Sequence, residues 1–502
     1  MIPNRNMERH AMPIHKIKAK AFQRSAGRSN GLFGITPLEW FLCGIILVGC
    51  AALHLTTLYY PLGLPIEVGL SLISFATPIS GLFYLSAAQV IPDASGSPLP
   101  SAQMALAGFL LWQSVKGKDM DLFQLGRPLW IAAAPFFVWE AGMALTRGDY
   151  RFGLLLLFAI LTGSATAVLV RQSGNRFAAC LVVFLAGQAL AMCLFWILKL
   201  HLGIPTQAFD TRIYGDSTLA GMRIGTARGN GNMLGPPMAL ACIGIIGWFF
   251  TRPKQSVGAG LVALLCLAVA VPPLIGSGSR GAIVAVAGGV SFLLFIGVSA
   301  GKSLSRAPLA LAGILMVLVF GWQRLGLEEQ WQQMKERQIQ QEENTGSGLL
   351  AGRTLEWSAA WGGILNSPII GGGTVEKESY FGFENLWQSH STYLDAGLVG
   401  GFPGMIFFCW LVLKPMLELW RRRYEPVIGW LLAVYLVSII SVGSTSAMQV
   451  KDFWMLWGIA SVCFLPAVAR IKASRNFLVH RAQAVKIQRS KAGSSVVQQF
   501  HP

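Results

Sequence analysis

The sequence predicts an all-α, polytopic membrane protein of about twelve transmembrane helices, with one long extracytoplasmic loop that contains short helices. Three observations predict it. Of the 502 residues, 53% are hydrophobic and only 13% charged, where a soluble domain carries about 25% charged residues. Mean hydropathy is +0.53. Apolar runs of bilayer-crossing length, about 17–25 residues, recur from end to end. The 56 glycines and 24 prolines agree with this, because membrane helices tolerate both better than soluble ones.

Residues 1–37 form a basic tail with Arg5, Arg9, Lys16, Lys18, Lys20, Arg24 and Arg28 against Glu8. It lacks the apolar core of a cleavable signal peptide. The first apolar run, 38–58, is long enough to remain as an anchor. Further apolar segments follow at 64–86, 102–115, 129–145, 152–170, 177–199, 233–250, 258–275, 281–300 and 307–322, which completes a helical bundle over 38–322. A polar loop spans 323–390. Three more segments (391–413, 426–446 and 450–470) fill 391–470, and a second basic tail closes the chain at 471–502.

Charge orients these segments. Both tails, the stretch 251–256, the stretch 301–306 and the turn with Arg421, Arg422 and Arg423 are expected in the cytoplasm under the positive-inside rule. The loop 323–390 is rich in glutamate (Glu328, Glu329, Glu336, Glu342, Glu343, Glu356, Glu376, Glu378, Glu384) and is expected outside. An odd number of segments cannot leave both tails on one side. The shortest, 102–115, is therefore expected to be re-entrant or not to span. Three polar stretches, near 200–232, 276–280 and 323–390, are expected to face outward together. Within the long loop, 331–343 reads as a polar surface helix. Residues 353–366 read as a second helix, with Trp357 and Trp361 one turn apart, able to lie along the membrane surface.

Composition excludes some functions. The net charge of +17 sits at segment ends and in the tails, so it marks membrane topology and not nucleic-acid binding. All eight cysteines fall in apolar segments and read as small buried thiols, not disulfides or a zinc site. Gly276-Ser277-Gly278-Ser279-Arg280-Gly281 matches a dinucleotide fingerprint in letters only, because apolar segments and no βαβ unit surround it. Asp119-Met120-Asp121 stands beside Lys116 and Lys118 in a cytoplasmic loop and reads as a solvated turn.

The candidate chemistry lies in the outward stretches. Arg280 begins a segment, where an arginine is either functional or snorkels to headgroups. Arg212, Arg223 and Arg228 precede Asn230 and Asn232 in a glycine-rich stretch that lets a ligand approach the backbone. Arg353 opens its helix with Glu356 three residues on; its fork suits phosphate oxygens, and an ion pair on the helix surface is the plainer reading. His390, the only histidine of the long loop, precedes Ser391, Thr392 and Tyr393 at the mouth of a membrane helix. An imidazole there can take a proton from a hydroxyl near neutral pH. Taken together, these residues point to an anionic, phosphate-bearing substrate at the outer interface.

Several of these stretches carry a resemblance. Gly352-Arg353-Thr354-Leu355-Glu356-Trp357-Ser358-Ala359-Ala360, then Asn366-Ser367-Pro368-Ile369-Ile370-Gly371-Gly372-Gly373, then His390-Ser391-Thr392-Tyr393-Leu394 resemble, in order, the signature of the O-antigen ligase and polymerase family. Gly278-Ser279-Arg280-Gly281-Ala282 resembles its Ser-Arg-Gly element. Gly229–Gly235 resembles its Gly-Asn-Pro-Asn element without the proline. His390 is followed by Ser-Thr where the family has Asn-Ser. The likeness covers about 220–412, and the N-terminal third carries no motif.

The resemblance implies a metal-independent, inverting glycosyltransferase of the bacterial inner membrane, with no cofactor. It would transfer or polymerise glycan from undecaprenyl diphosphate on the periplasmic face. Arg280, Arg353 and Arg228 would hold the diphosphate, His390 would deprotonate the acceptor, and Asn230, Asn232, Glu356 and Tyr393 would support them. Polysaccharide repeat-unit polymerase is the first expectation, from chain length and tails; ligation to lipid A–core is the alternative. Expected partners are the lipid-linked glycan, the bilayer and other polysaccharide assembly proteins, with no nucleic acid. A lipid-linked oligosaccharide transporter is the competing class. It would show inverted repeats, and none is visible in the sequence.

Overall fold

The computed structural model describes residues 32–56, 62–91, 100–115, 127–148, 150–174, 176–198, 231–251, 257–277, 279–299, 332, 335–336, 339, 353–372, 389, 391–443 and 452–463. The chain divides into 1–462 and 463–502, and the second unit lies outside the described residues except for Cys463. After a short 3₁₀ turn (Leu32–Gly34) come α1 (Pro37–Thr56), α2 (Gly63–Ser74), α3 (Pro78–Ala87), α4 (Ser101–Val115), α5 (Arg127–Thr146), α6 (Tyr150–Gln172) and α7 (Phe177–Trp196). Then follow α8 (Gly231–Thr251), α9 (Val257–Gly276), α10 (Arg280–Ser299), α11 (Arg353–Asn366), α12 (Thr392–Arg421), α13 (Pro426–Val442) and α14 (Asp452–Val462). The described residues contain no strand. The all-helical expectation holds, and the protein is multi-pass: five described helices are long and apolar enough to cross a bilayer, with shorter apolar helices beside them.

One segment departs from the sequence reading and a second is clarified. The run 64–86 is not one rod. It breaks at 75–77 and folds back, so that Ser71 Oγ and Tyr84 Oη approach within 3.2 Å. Thr77 caps α3 through the Ser80 amide, and Pro78 takes the first-turn position where a missing N–H costs nothing. The run 102–115, expected to be re-entrant or not to span, is a short helix, α4, seated on α2 where Gly108 meets Ser71. Helix α4, at 15 residues, is not among the helices long and apolar enough to cross a bilayer, and the segment 307–322 lies outside the described residues. The cysteines also need one correction. All are free, but Cys266 is exposed on the helix surface, and Cys409 and Cys463 are half-exposed.

Close helix contacts through glycine set the bundle's ends. At Gly235 an added methyl would stand 2.5 Å from Ser279 Cβ, so α8 and α10 begin side by side. Gly289 of α10 meets both Ile243 and Val437, and Gly288 meets Ile440. Helices α8 and α10 therefore run parallel, with α13 antiparallel to both. At the far end Gly247 lies against Trp430. Small residues of this kind let membrane helices approach closely. An ion pair closes the opposite end of α1 and α7: Arg176 donates from one nitrogen to both Glu39 oxygens, at 2.8 and 2.7 Å.

The largest departure is in α12. Its segment was expected to be one span over 391–413, but Gly401 (φ 67°, ψ −163°) breaks it in two. This backbone region is open essentially to glycine alone. The arm 392–400 then doubles back along 402–421. Tyr393 stacks edge-on against Phe408 with centroids 5.3 Å apart. A methyl on Gly397 would lie 3.6 Å from Met405 Cβ, and one on Gly404 would lie 2.7 Å from the Ala396 oxygen. These pairs are centred on the break, which defines a helical hairpin. Only 402–421 runs the length of the bundle, antiparallel to α13, where Tyr435 Oη donates to the Val412 carbonyl at 3.2 Å.

Substituting Gly401 by alanine forces a side chain into this backbone region and against the carbonyls of Pro368 and Ile369, 2.6 Å away. Such strain costs about 1–3 kcal/mol. The expected outcome is a lower thermal midpoint for detergent-purified Gly401→Ala. An unchanged midpoint would contradict the hairpin.

Candidate functional site

The hairpin leaves three carbonyls to account for. In an unbroken helix those of Leu398, Val399 and Gly400 would accept from residues 402, 403 and 404. Phe402 N–H instead donates to the Pro368 carbonyl at 2.8 Å. Pro403 has no N–H, and the break turns Gly404 away. Buried carbonyls need partners, and all three find them outside the helix. Leu398 accepts from Gly372 N–H at 2.8 Å. Val399 accepts from Arg147 at 2.8 Å. Gly400 accepts from the Trp139 indole at 2.7 Å. Arg147 also donates to the Ile370 carbonyl at 2.7 Å and to that of Gly371. The turn after α11, the break in α12 and the end of α5 are thus one hydrogen-bonded unit.

Glu140 lies one helical stretch inward on α5, fully buried. Its carboxyl group occupies the space that Gly400 and Gly404 leave open: a methyl on either would collide with Oε1. Helix α11 covers the short arm through Ala360 and Ile364 packed on Leu398. Its other side presents Trp361 and Leu365 outward, followed by Ile369 and Ile370. The helix 353–366 is found with the expected bounds. Of 331–343, Gln332, Lys335, Glu336 and Ile339 are helical and exposed.

The arm carries the histidine box into the protein. At 1.5 Å per residue, its start lies about 13 Å from the break. Ser389, Ser391, Thr392 and Asp395 are buried there. Asp395 Oδ1 accepts from Ser389 N–H at 3.1 Å and Ser389 Oγ at 2.8 Å. Ser391 N–H donates to Ser389 Oγ at 3.2 Å, and Ser389 Oγ also reaches the Ser391 carbonyl at 2.9 Å. His390 itself lies outside the described residues, but both its neighbours are held by this knot. The helix the box opens is therefore the re-entrant arm, not the mouth of a spanning helix.

Tyr393 is half-buried, and a methyl on Gly443 would stand 3.8 Å from its ring. Gly443 ends α13, so the arm's start lies on the end of the bundle where α8 and α10 begin. Arg280, half-buried, is the first residue of α10. Counting from the Gly288–Ile440 contact, it stands about 7 Å beyond Gly443 along the helix axis. Ser279 beside it is buried, and its N–H donates to Ser277 Oγ at 3.1 Å. Asn232 is in the first turn of α8 and Arg353 begins α11; both are described by backbone alone. Glu356 is half-buried on α11. Arg228 and Asn230 lie outside the described residues, as do 307–322 and most of 323–352. The structure thus gathers the elements bearing Arg280, Asn232 and Tyr393 at one end, with α11 packed on the arm.

Sequence reasoning missed Trp139, Glu140 and Arg147. The signal was present: an acidic residue inside an apolar segment is rare and usually functional or paired. It also missed Asp395, which is visible only as an acid in the first turn after the histidine box.

Residues 265–409 match the O-antigen ligase family model. This part of the chain is similar to the O-antigen ligase family. It takes in the end of α9, all of α10 and α11, and the hairpin as far as the first turns beyond the break. Comparison with curated proteins gave no match.

Replacing Asp395 by alanine removes the acceptor that fixes Ser389. Hydrogen bonds to a charged group contribute about 1.5–3 kcal/mol each, so amide exchange around 389–391 should speed up about tenfold or more. Asp395→Asn should fall between. Unchanged exchange in Asp395→Ala would show that the knot does not hold this backbone.

Proposed function

We propose that this chain is a membrane glycosyltransferase of the O-antigen ligase and polymerase type. It transfers glycan from undecaprenyl diphosphate to an acceptor hydroxyl at the periplasmic face of the inner membrane, and repeat-unit polymerisation is the first reading. The observation that carries the proposal is the re-entrant arm. It brings the residues on both sides of His390 into the bundle, on the same end as Arg280 and the paired starts of α8 and α10.

The chemistry follows from those parts. A polyprenyl diphosphate is already an activated leaving group. Positive helix ends and arginine forks favour its charge as it departs. His390 takes the acceptor proton as the hydroxyl attacks the anomeric carbon. A single displacement inverts that centre and needs no metal. Sidedness is supported by charge. Arg421, Arg422 and Arg423 stand at the opposite end of 402–421 from the break, where Arg423 lies over the Trp420 and Tyr424 rings at 4.6 and 4.4 Å. That is the pattern of a cytoplasmic interface.

His390→Ala and Arg280→Ala should each insert at normal levels and lose glycan transfer, while transfer by the wild type should survive chelation. Transfer by His390→Ala at the wild-type rate would remove the histidine from the mechanism. Full loss in chelator would overturn the metal-free step. Deletion of the gene separates the acceptors: single lipid-linked units without chains mean a polymerase, and long chains stranded on the carrier mean a ligase. A purified protein that moves lipid-linked oligosaccharide across vesicles, and still does so as His390→Ala, would assign it to transport.

A further inference from the structure

Three features stand outside the matched segment yet touch it: Trp139, Glu140 and Arg147, all from α5 or its end. The family match begins at residue 265, so nothing in it assigns them a role. Arg147 makes the most specific contacts. Its two terminal nitrogens reach the carbonyls of Val399, Ile370 and Gly371. Those oxygens belong to the two stretches that must stay in register if the arm is to stay in place: the turn 368–372 and the break at Gly401.

An arginine on the site's end of the bundle invites a different reading, as a ligand for phosphate. The contacts argue against it. Both terminal nitrogens are already directed at backbone oxygens: that of Val399, whose helical donor would have been Pro403, and those of Ile370 and Gly371 in the turn, the last shared with Ser367 Oγ at 2.9 Å. A guanidinium fork can serve three acceptors at once from one side chain, and a lysine ammonium cannot reproduce that planar spread. The demand is therefore geometric, for a fork, and not for charge alone.

We infer that Arg147 is a positioning residue for glycan transfer. It locks the turn after α11 to the break in α12 and so sets where the re-entrant arm presents the residues flanking His390. Trp139 supplies the adjoining contact to the Gly400 carbonyl. The inference rests on the function proposed above. It adds that residues of α5, outside the matched domain, belong to the working site.

The test uses the full-length detergent-purified protein and polyprenyl-diphosphate-linked oligosaccharide extracted from cells lacking the gene. Arg147→Lys and Arg147→Gln should both lower kcat, by about tenfold to a hundredfold as expected for a small misplacement of reacting groups. Donor KM should stay within about twofold, because the ligand contacts are untouched. Amide exchange at Gly372 and Phe402 should rise in both variants. If Arg147→Lys keeps its kcat while Arg147→Gln raises donor KM, and exchange is unchanged, the arginine binds the donor and the inference is overturned. Unaltered kinetics and exchange would also overturn it. Should the Arg147 variants not fold, Trp139→Phe removes one N–H and keeps the ring; it should show the same signature more weakly, and wild-type behaviour in it would count against the proposal. If the wild type transfers no glycan, the function proposed above fails. The exchange measurement then decides by itself whether Arg147 sets the arm.

Discussion

The structure around the candidate site depends on one local failure of helical hydrogen bonding. At Gly401 the backbone leaves the helical region, and Pro403 cannot restart the ladder behind it. Inside a membrane, such a gap is tolerated only where other protein groups take up the orphaned polar atoms. Here the groups are a glycine amide, an indole and a guanidinium, drawn from two other parts of the chain. Each takes one carbonyl of the break, and the guanidinium also ties the break to the Ile370 and Gly371 carbonyls of the preceding turn. The two arms of α12 are placed by this break.

The glycines at 400 and 404 have a second consequence. They open a slot in the hairpin that the Glu140 side chain fills. A carboxyl group among apolar helices is costly. It joins α5 to both arms at once, where aromatic contacts continue inward: Phe136 on Phe408 at 5.3 Å, and Phe408 on Phe453 at 6.1 Å. The hairpin is therefore gripped near its tip by polar groups and along its length by rings.

The sequence showed the membrane class, most segment positions and the helix 353–366, because hydropathy and helical spacing act locally. It showed too that the starts of α8 and α10 and the histidine box share an end, through charge and alternation. It did not show the hairpin. Residues 391–413 are apolar enough to read as one span, and hydropathy carries no information about direction. The clue was Gly400-Gly401-Phe402-Pro403-Gly404, a string that offers both a left-handed residue and a missing donor. The same blindness affected 64–86, where Phe75 to Thr77 turn a single apolar run into two helices. The partners of the break were harder still. Trp139 and Arg147 lie more than 250 residues from the carbonyls of Gly400 and Val399 that they serve, and no local rule reaches across that distance.

That separation bears on how the protein can be divided. A fragment cut to 265–409 would carry the glycine break but neither the indole nor the guanidinium that completes it, and would hold unpaired carbonyls in an apolar setting. Chimeras between relatives should tolerate crossovers only when α5 travels with the hairpin. Substitutions at 139, 140 and 147 should track those at 399, 400 and 404 as lineages drift, two distant stretches inherited as one.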